Sequence, residues 1–324
     1  MRAIVCRAFG PPERLTIETL PDPVPGPGQI VVDLRAAAIT FPDTLIIEDR
    51  YQYKATPPFV VGGECSGIVS AVGAGVAGVA VGDRVIGGNG NTGGFAEKVL
   101  LGADRVRPLP ASVDFAQAVG AGYAYGTALY ALRYRGDLQP GETLLVLGAS
   151  GAVGLAAVEI GKALGARVIA AASTPEKLAL CRERGADETI CYDREDLKSR
   201  AKELTGGRGA DVVYDAVGGD YAEAALRAIA WRGRFLVIGF TAGIPRIPLN
   251  LALLKGCQIV GVFWGASRTN EPEIAARAAR EVDAMLESGE IAPLVSRRYP
   301  LAEAPLALRD MIDRKVVGKI VVVP

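Results

Sequence analysis

The chain has 324 residues, half of them hydrophobic, and its 36 basic residues are balanced by 36 acidic ones. That length admits two domains with sizeable cores, and a balanced charge without like-sign runs offers no surface for nucleic acid or an anionic membrane. Histidine is absent, which excludes histidine-containing triads and removes the commonest zinc ligand.

The five cysteines, Cys6, Cys65, Cys181, Cys191 and Cys257, form no C-x-x-C pair. They read as reduced thiols of a cytoplasmic protein, with no metal site among them. The opening MRAIVCRAFG has too short an apolar core for a signal peptide. Cys65 to Gly82 is an uncharged run of 18 residues, but its five glycines point to two glycine-turned strands rather than a membrane span.

In chain order, residues 1–122 read as strand-rich. Strands are expected at Ala3–Cys6, Leu15–Leu20, Ile30–Ala37, Ile68–Val72, Arg84–Ile86 and Phe95–Val99. Pro21 to Gly28 is a stiff loop, and 40–58 reads as irregular. Asp114–Arg135 is helical, with an interruption expected near Gly120–Gly126.

The pattern then changes to alternating strands and helices. Strands are expected at 143–147, 167–172, 188–191, 211–215, 234–239 and 258–263. Helices are expected at 152–164, 175–184, 195–204 and 220–230. This rhythm specifies a doubly wound parallel sheet covered on both faces. Thr174 is the expected N-cap of the helix that begins at Pro175. Helices near 271–288 and 302–315 and a strand at Gly318–Val323 follow. They are too few for a third domain and are expected to return to the first.

The stretch that carries chemistry is Gly141 to Gly165. An apolar strand runs into Gly148, Gly151 and Gly154, and a helix starts at Ala152. Glycines let the backbone approach a diphosphate, and a helix N-terminus offers free N–H groups and partial positive charge. Gly151, Ala152 and Val153 are therefore candidate diphosphate contacts. A unit selecting NAD places a carboxylate at the end of the second strand. Here that strand ends Ala172-Ser173, and Lys177 follows one turn into the next helix. A hydroxyl and an ammonium suit a 2′-phosphate, hence NADPH; the plain alternative is a cap and a solvated charge.

The chain resembles the zinc-free quinone oxidoreductases (ζ-crystallin-like) of the medium-chain dehydrogenase/reductase superfamily along its whole length. The matching segments are AAAITFPDT (36–44), VGGECSG (61–67), GDRV (82–85), GGFAE (93–97), YGTAL (125–129), GASGAVG (148–154), YDAVGG (214–219), GRFLVIGF (233–240) and GKIV (318–321). Ala230-Trp231, Leu249–Lys255 and Phe263-Trp264-Gly265 are most similar to the quinone oxidoreductase-like protein 2 subgroup. Zinc-dependent relatives carry G-H-E where this chain has Gly62-Gly63-Glu64.

The resemblance implies a GroES-like β-rich catalytic domain over 1–122, completed by 268–324, and a Rossmann NADPH-binding domain over 123–267. It implies Ser173, Lys177 and Tyr192 at the 2′-phosphate. Thr127, Gly239, Phe240, Phe263 and Trp264 are implied at the nicotinamide end, with Val217 near the ribose. Tyr51 and Thr40 are implied in the catalytic pocket, Thr40 standing where many relatives have Asn. The implied activity is NADPH-dependent reduction of a quinone or other conjugated carbonyl compound. A 2-enoyl reductase and a non-catalytic NADPH-binding protein are the alternatives. A homodimer joined through the uncharged edge near 257–264 is also implied.

Overall fold

The computed structural model describes residues 1–324 and divides into two compact units. The first comprises Met1–Gly122 with Ala292–Pro324, and the second Tyr123–Ile291. The second unit therefore runs on past 267, whereas the sequence reading gave everything from 268 onward to the first. Tyr134 explains part of this: its hydroxyl donates to the Glu281 carboxylate at 2.8 Å and ties the 271–288 region to the second unit.

The first unit is strand-rich and mostly antiparallel, with one parallel pair in its returning segment. Its elements are β1 (Arg2–Cys6), β2 (Thr16–Thr19), β3 (Gln29–Ala38), α1 (Phe41–Ile46), β4 (Phe59–Val60), β5 (Cys65–Val72), β6 (Arg84–Gly87), β7 (Lys98–Gly102) and β8 (Val106–Pro108). β2, β1 and β4 form a small sheet. Long β3 is the spine of the larger one, pairing with β5 from Ile30↔Val72 to Ala37↔Cys65 and with β7 from Gln29↔Gly102 to Asp33↔Lys98. Alternation along these strands buries Ile4, Ile30, Val32, Leu34, Val69 and Leu101 in one core, which Phe95 joins from the loop before β7.

Helix α2 (Phe115–Leu129) runs unbroken through Gly120, Gly122 and Gly126 into a π-helical stretch at Tyr130–Arg135. The interruption expected at these glycines is absent. Their role is space: a Cβ at Gly122 would lie 1.8 Å from the Glu64 carboxylate, and one at Gly126 would lie 2.8 Å from the Trp264 ring.

The second unit is a six-stranded parallel sheet. β9 (Thr143–Leu147), α3 (Ala152–Ala163), β10 (Arg167–Ala172), α4 (Pro175–Glu183), β11 (Glu188–Cys191), α5 (Leu197–Leu204), β12 (Ala210–Asp215), α6 (Gly219–Arg227), β13 (Ile229–Val237), α7 (Asn250–Lys255) and β14 (Gln258–Gly261) build it, followed by α8 (Trp264–Asn270) and α9 (Pro272–Ser288). The strand order is β11-β10-β9-β12-β13-β14. Chain order reverses direction between β9 and β12, and in such sheets ligands bind outside the carboxyl ends at that point. Every residue of β9 and β12 is buried, as a sheet covered on both faces requires.

The returning segment contributes β15 (Val295–Pro300), α10 (Ala304–Ile312) and β16 (Lys319–Val323). β16 pairs with β3 and β15, extending the larger sheet of the first unit. No helix is long and apolar enough to cross a membrane.

Candidate functional site

In the second unit, the candidate cofactor residues gather at the carboxyl end of the sheet. Gly151, Ala152 and Val153 follow β9, Ser173 follows β10 and Tyr192 follows β11. Val217 follows β12, Gly239 and Phe240 follow β13, and Phe263 and Trp264 follow β14. Register, not loop design, brings ten residues from six strands to one edge.

The turn after β9 is a backbone cradle. Gly148 has φ +67, in the left-handed region, and a Cβ there would meet Val217 at 2.8 Å. A Cβ on Gly154 would lie 2.2 Å from the Gly148 carbonyl oxygen, so only glycine lets α3 start this close to the strand. Gly151 is the N-cap of α3. The N–H groups of Ala152 and Val153, in its first turn, have no intrahelical acceptor and suit an anion.

Ser173 and Lys177 are in contact, and Tyr192 ends the neighbouring strand. The Lys177 ammonium donates to the Ser173 hydroxyl at 3.4 Å. Thr174 caps α4 by accepting from the Lys177 N–H at 3.4 Å, as the sequence led one to expect. The Tyr192 N–H donates to the Ala172 carbonyl at 3.2 Å, which sets the end of β11 against the residue before Ser173. The Tyr192 ring packs on Tyr221 with centroids 4.5 Å apart. Arg194 stands near enough to Glu176 to help hold its carboxyl below the usual range, after the larger effect of the Thr174 hydroxyl.

At the other end of the edge, Phe240 and Phe263 are exposed aromatic surfaces at 42% and 51%. Trp264 lies over Gly126, next to Thr127, and its ring is 5.7 Å from Tyr130. Asp215 closes β12 by accepting from the Val217 and Gly218 N–H groups, both at 2.9 Å, which fixes the turn carrying Val217.

In the first unit, Thr40 and Tyr51 flank a residue the sequence reading passed over. The 40–58 stretch is not wholly irregular: α1 starts at Phe41, with Thr40 as N-cap and Pro42 in the first turn. One Asp43 carboxylate oxygen accepts from the Thr40 N–H at 2.7 Å and from the Thr40 hydroxyl at 2.6 Å. Asp43 is fully buried, and burial pushes its carboxyl up to about 6 despite these bonds. The Tyr51 phenol is held above its ordinary range by burial and then by the Asp43 charge. The signal was available in the three-residue spacing Thr40-Phe41-Pro42-Asp43, a capping pattern.

Gly63 stands where zinc-dependent relatives have histidine. A Cβ there would lie 2.5 Å from the Gly90 carbonyl oxygen and 3.0 Å from the Asn91 Cα. The 90–91 backbone already fills the space a ligand side chain would need. No group of three His, Cys, Asp or Glu is placed to hold a metal ion.

Residues 26–111 match the alcohol dehydrogenase GroES-like domain family, and residues 152–280 match the zinc-binding dehydrogenase family. A quinone oxidoreductase-like protein 2 homolog from Nematostella vectensis is 38% identical, over 99% of this chain and 88% of that one. This chain belongs to the quinone oxidoreductase family of the medium-chain dehydrogenases/reductases. A quinone oxidoreductase of Pseudomonas aeruginosa is 36% identical over 98% of both chains. The Escherichia coli quinone oxidoreductase, crystallised with NADPH, superposes with a TM-score of 0.92 at 32% identity, covering both chains in full. Membership accounts for the two-unit organisation and for the parallel sheet with its glycine turn.

Proposed function

We propose that this chain is an NADPH-dependent oxidoreductase that reduces quinones or other conjugated carbonyl compounds. The observation that carries the reading is the edge of the parallel sheet. A glycine cradle follows β9, and Ser173 with Lys177 stands at the end of β10, where an NAD-selecting unit would place a carboxylate. When bound, NADPH supplies the reducing hydrogen with its electron pair. Gly151, Ala152 and Val153 would hold the diphosphate through the start of α3. Ser173, Lys177 and Tyr192 would hold the 2′-phosphate, with the ammonium as its counter-charge. Val217 would lie along the ribose, and Thr127, Gly239, Phe240, Phe263 and Trp264 along the nicotinamide.

Tyr51 is the better placed of the two pocket hydroxyls to stabilise the acceptor's carbonyl oxygen. Burial keeps its phenol protonated, so it can donate as charge develops there. Thr40 differs: its proton is already directed at Asp43, so its oxygen presents lone pairs. No metal-bound water is needed for an acceptor that is already electrophilic.

The proposal extends to a cytoplasmic homodimer paired along β14. That strand is the sheet's edge, and Ile259 on it is exposed. Around it Trp231, Leu249, Leu253 and Leu254 are 61–78% exposed. A row of open backbone groups beside apolar side chains is stable in water when covered by a second copy.

The reading is tested by following NADPH oxidation with 1,4-naphthoquinone, an alkenal and an enoyl thioester. Turnover of the quinone supports it. Tight NADPH binding without turnover of any of the three would leave a binding protein instead. Turnover confined to the alkenal or the thioester would make it a 2-enoyl reductase.

A further inference from the structure

Behind Thr40 lie three charged side chains that the first unit's core encloses. Asp43 on α1, Glu64 ahead of β5 and Lys319 at the start of β16 are 2%, 3% and 4% exposed. Residues of this kind are rarely enclosed unless they compensate one another. Burial lowers the Lys319 ammonium, and the Glu64 and Asp43 charges oppose that effect. The lysine is thus the positive centre of an acidic pair.

The Thr40 hydroxyl meets the Asp43 carboxylate at 2.6 Å, on the oxygen that also accepts from the Thr40 N–H. A hydroxyl has a single proton. While Asp43 is ionised, that proton points inward, and Thr40 can only accept from a molecule in the pocket. When Asp43 is protonated, the polarity of the pair reverses. Asp43 donates to the Thr40 oxygen, and the Thr40 proton is free to point outward.

We propose that Asp43 stores the proton that Thr40 delivers to the reduced acceptor. The claim rests on the reading above that Thr40 and Tyr51 both line the acceptor's site, and it adds that Thr40 becomes a donor there once Asp43 is protonated. In the step, the Thr40 O–H bond breaks as a new O–H bond forms on the substrate oxyanion. The Asp43 O–H bond breaks as its proton replaces the one Thr40 gave up. Two O–H bonds form and two break, no electrons change owner, and Asp43 ends as a carboxylate near the Lys319 ammonium. Water in the vacated pocket returns the proton by the same hydroxyl in reverse.

The groups facing Asp43 support such a store. Lys319 attracts its charge, and Tyr51 senses that charge from the following loop. Glu64 and Asp43 both act on Lys319. Helix α10 packs on α1, but its charges are engaged elsewhere: Arg309 pairs with Glu13 at 2.7 Å, and Asp310 accepts from the Tyr299 hydroxyl at 2.7 Å.

The test combines infrared difference spectroscopy of the full chain with kinetics. A protonated-carboxyl C=O band should be present at about pH 5 and gone by about pH 8, and it should be missing from Asp43→Asn. In Thr40→Val the band should persist to higher pH, because the carboxylate has lost a donor. With an enone and NADPH, kcat should fall by about tenfold per pH unit above about pH 6 in the natural chain and in Thr40→Ser. Thr40→Val and Asp43→Asn should lose that limb and about tenfold or more of kcat at low pH, with KM for NADPH within about twofold. A capping role alone would move stability and leave the pH limb in place. An Asp43→Asn variant that keeps the limb, or a natural chain without the band at low pH, overturns the proposal. A chain that reduces no acceptor yet keeps the Thr40-coupled band retains the proton store and refutes the acceptor reading instead.

Discussion

Lys177 and Ser173 meet at 3.4 Å across the first turn of α4, one turn past the point where a carboxylate would bind a ribose hydroxyl. A charge-assisted contact from that ammonium to a 2′-phosphate would contribute about 1.5–3 kcal/mol. Lys177→Ala should therefore raise KM for NADPH by about tenfold or more and leave that for NADH nearly unchanged. Steady-state kinetics with both cofactors checks this. Gly63 gives a second residue-level prediction. Its missing Cβ is the room taken by the Gly90 carbonyl, so Gly63→Ala should cost about 1–3 kcal/mol of stability in a urea titration. Asp43 gives a third, with a sign fixed by linkage. Its carboxyl sits at about 6 in the folded chain, against about 3.9 when unfolded. Its contribution to stability is therefore present below about pH 4 and lost as pH rises through about 6. The stability of Asp43→Asn relative to the natural chain should rise over that interval, by about 1–3 kcal/mol in parallel urea titrations. A constant difference would mean that the carboxyl titrates normally.

At the scale of elements, the α3 start depends on backbone approach rather than on side chains. Gly154→Ala would place a methyl group 2.2 Å from the Gly148 carbonyl oxygen. The helix must then shift, and NADPH affinity should fall by about tenfold or more, measured by fluorescence titration. Edge strand β14 carries the oligomer prediction. Ile259→Lys, which puts a charge on the open edge, should convert the proposed dimer to a monomer in light scattering at micromolar concentration. The βαβ rhythm is legible from residue 143 onward because largely apolar runs such as TLLVL and RVIAAA alternate with capped helices. Short elements were not. Helix α1 has six residues, too few for a helical period, and shows only through its cap. β15 was missed because three of its residues, Ser296, Arg297 and Arg298, are exposed and polar. The glycines of α2 read as breaks; the neighbours that require them, Glu64 and Trp264, are far away in sequence.

For the whole molecule, zero net charge and the absence of histidine narrowed the chemistry before any element was placed. The family resemblance then supplied the site residues that spacing alone could not. Ser173, Lys177 and the glycine turn were readable from local pattern, but Val217, Gly239 and Phe263 become neighbours only through the strand order β9-β12-β13-β14. Asp43, Glu64 and Lys319 lie on separate segments, and their burial is a property of the folded first unit. The boundary at 291/292 likewise depends on contacts such as Tyr134–Glu281 that no local signal announces. The most direct measurement is the ratio of kcat/KM for NADPH to that for NADH in the reduction of 1,4-naphthoquinone by the full chain. A ratio of about ten or more is expected from one charge-assisted phosphate contact. Equal values for the two cofactors, or no oxidation of either, would contradict the account.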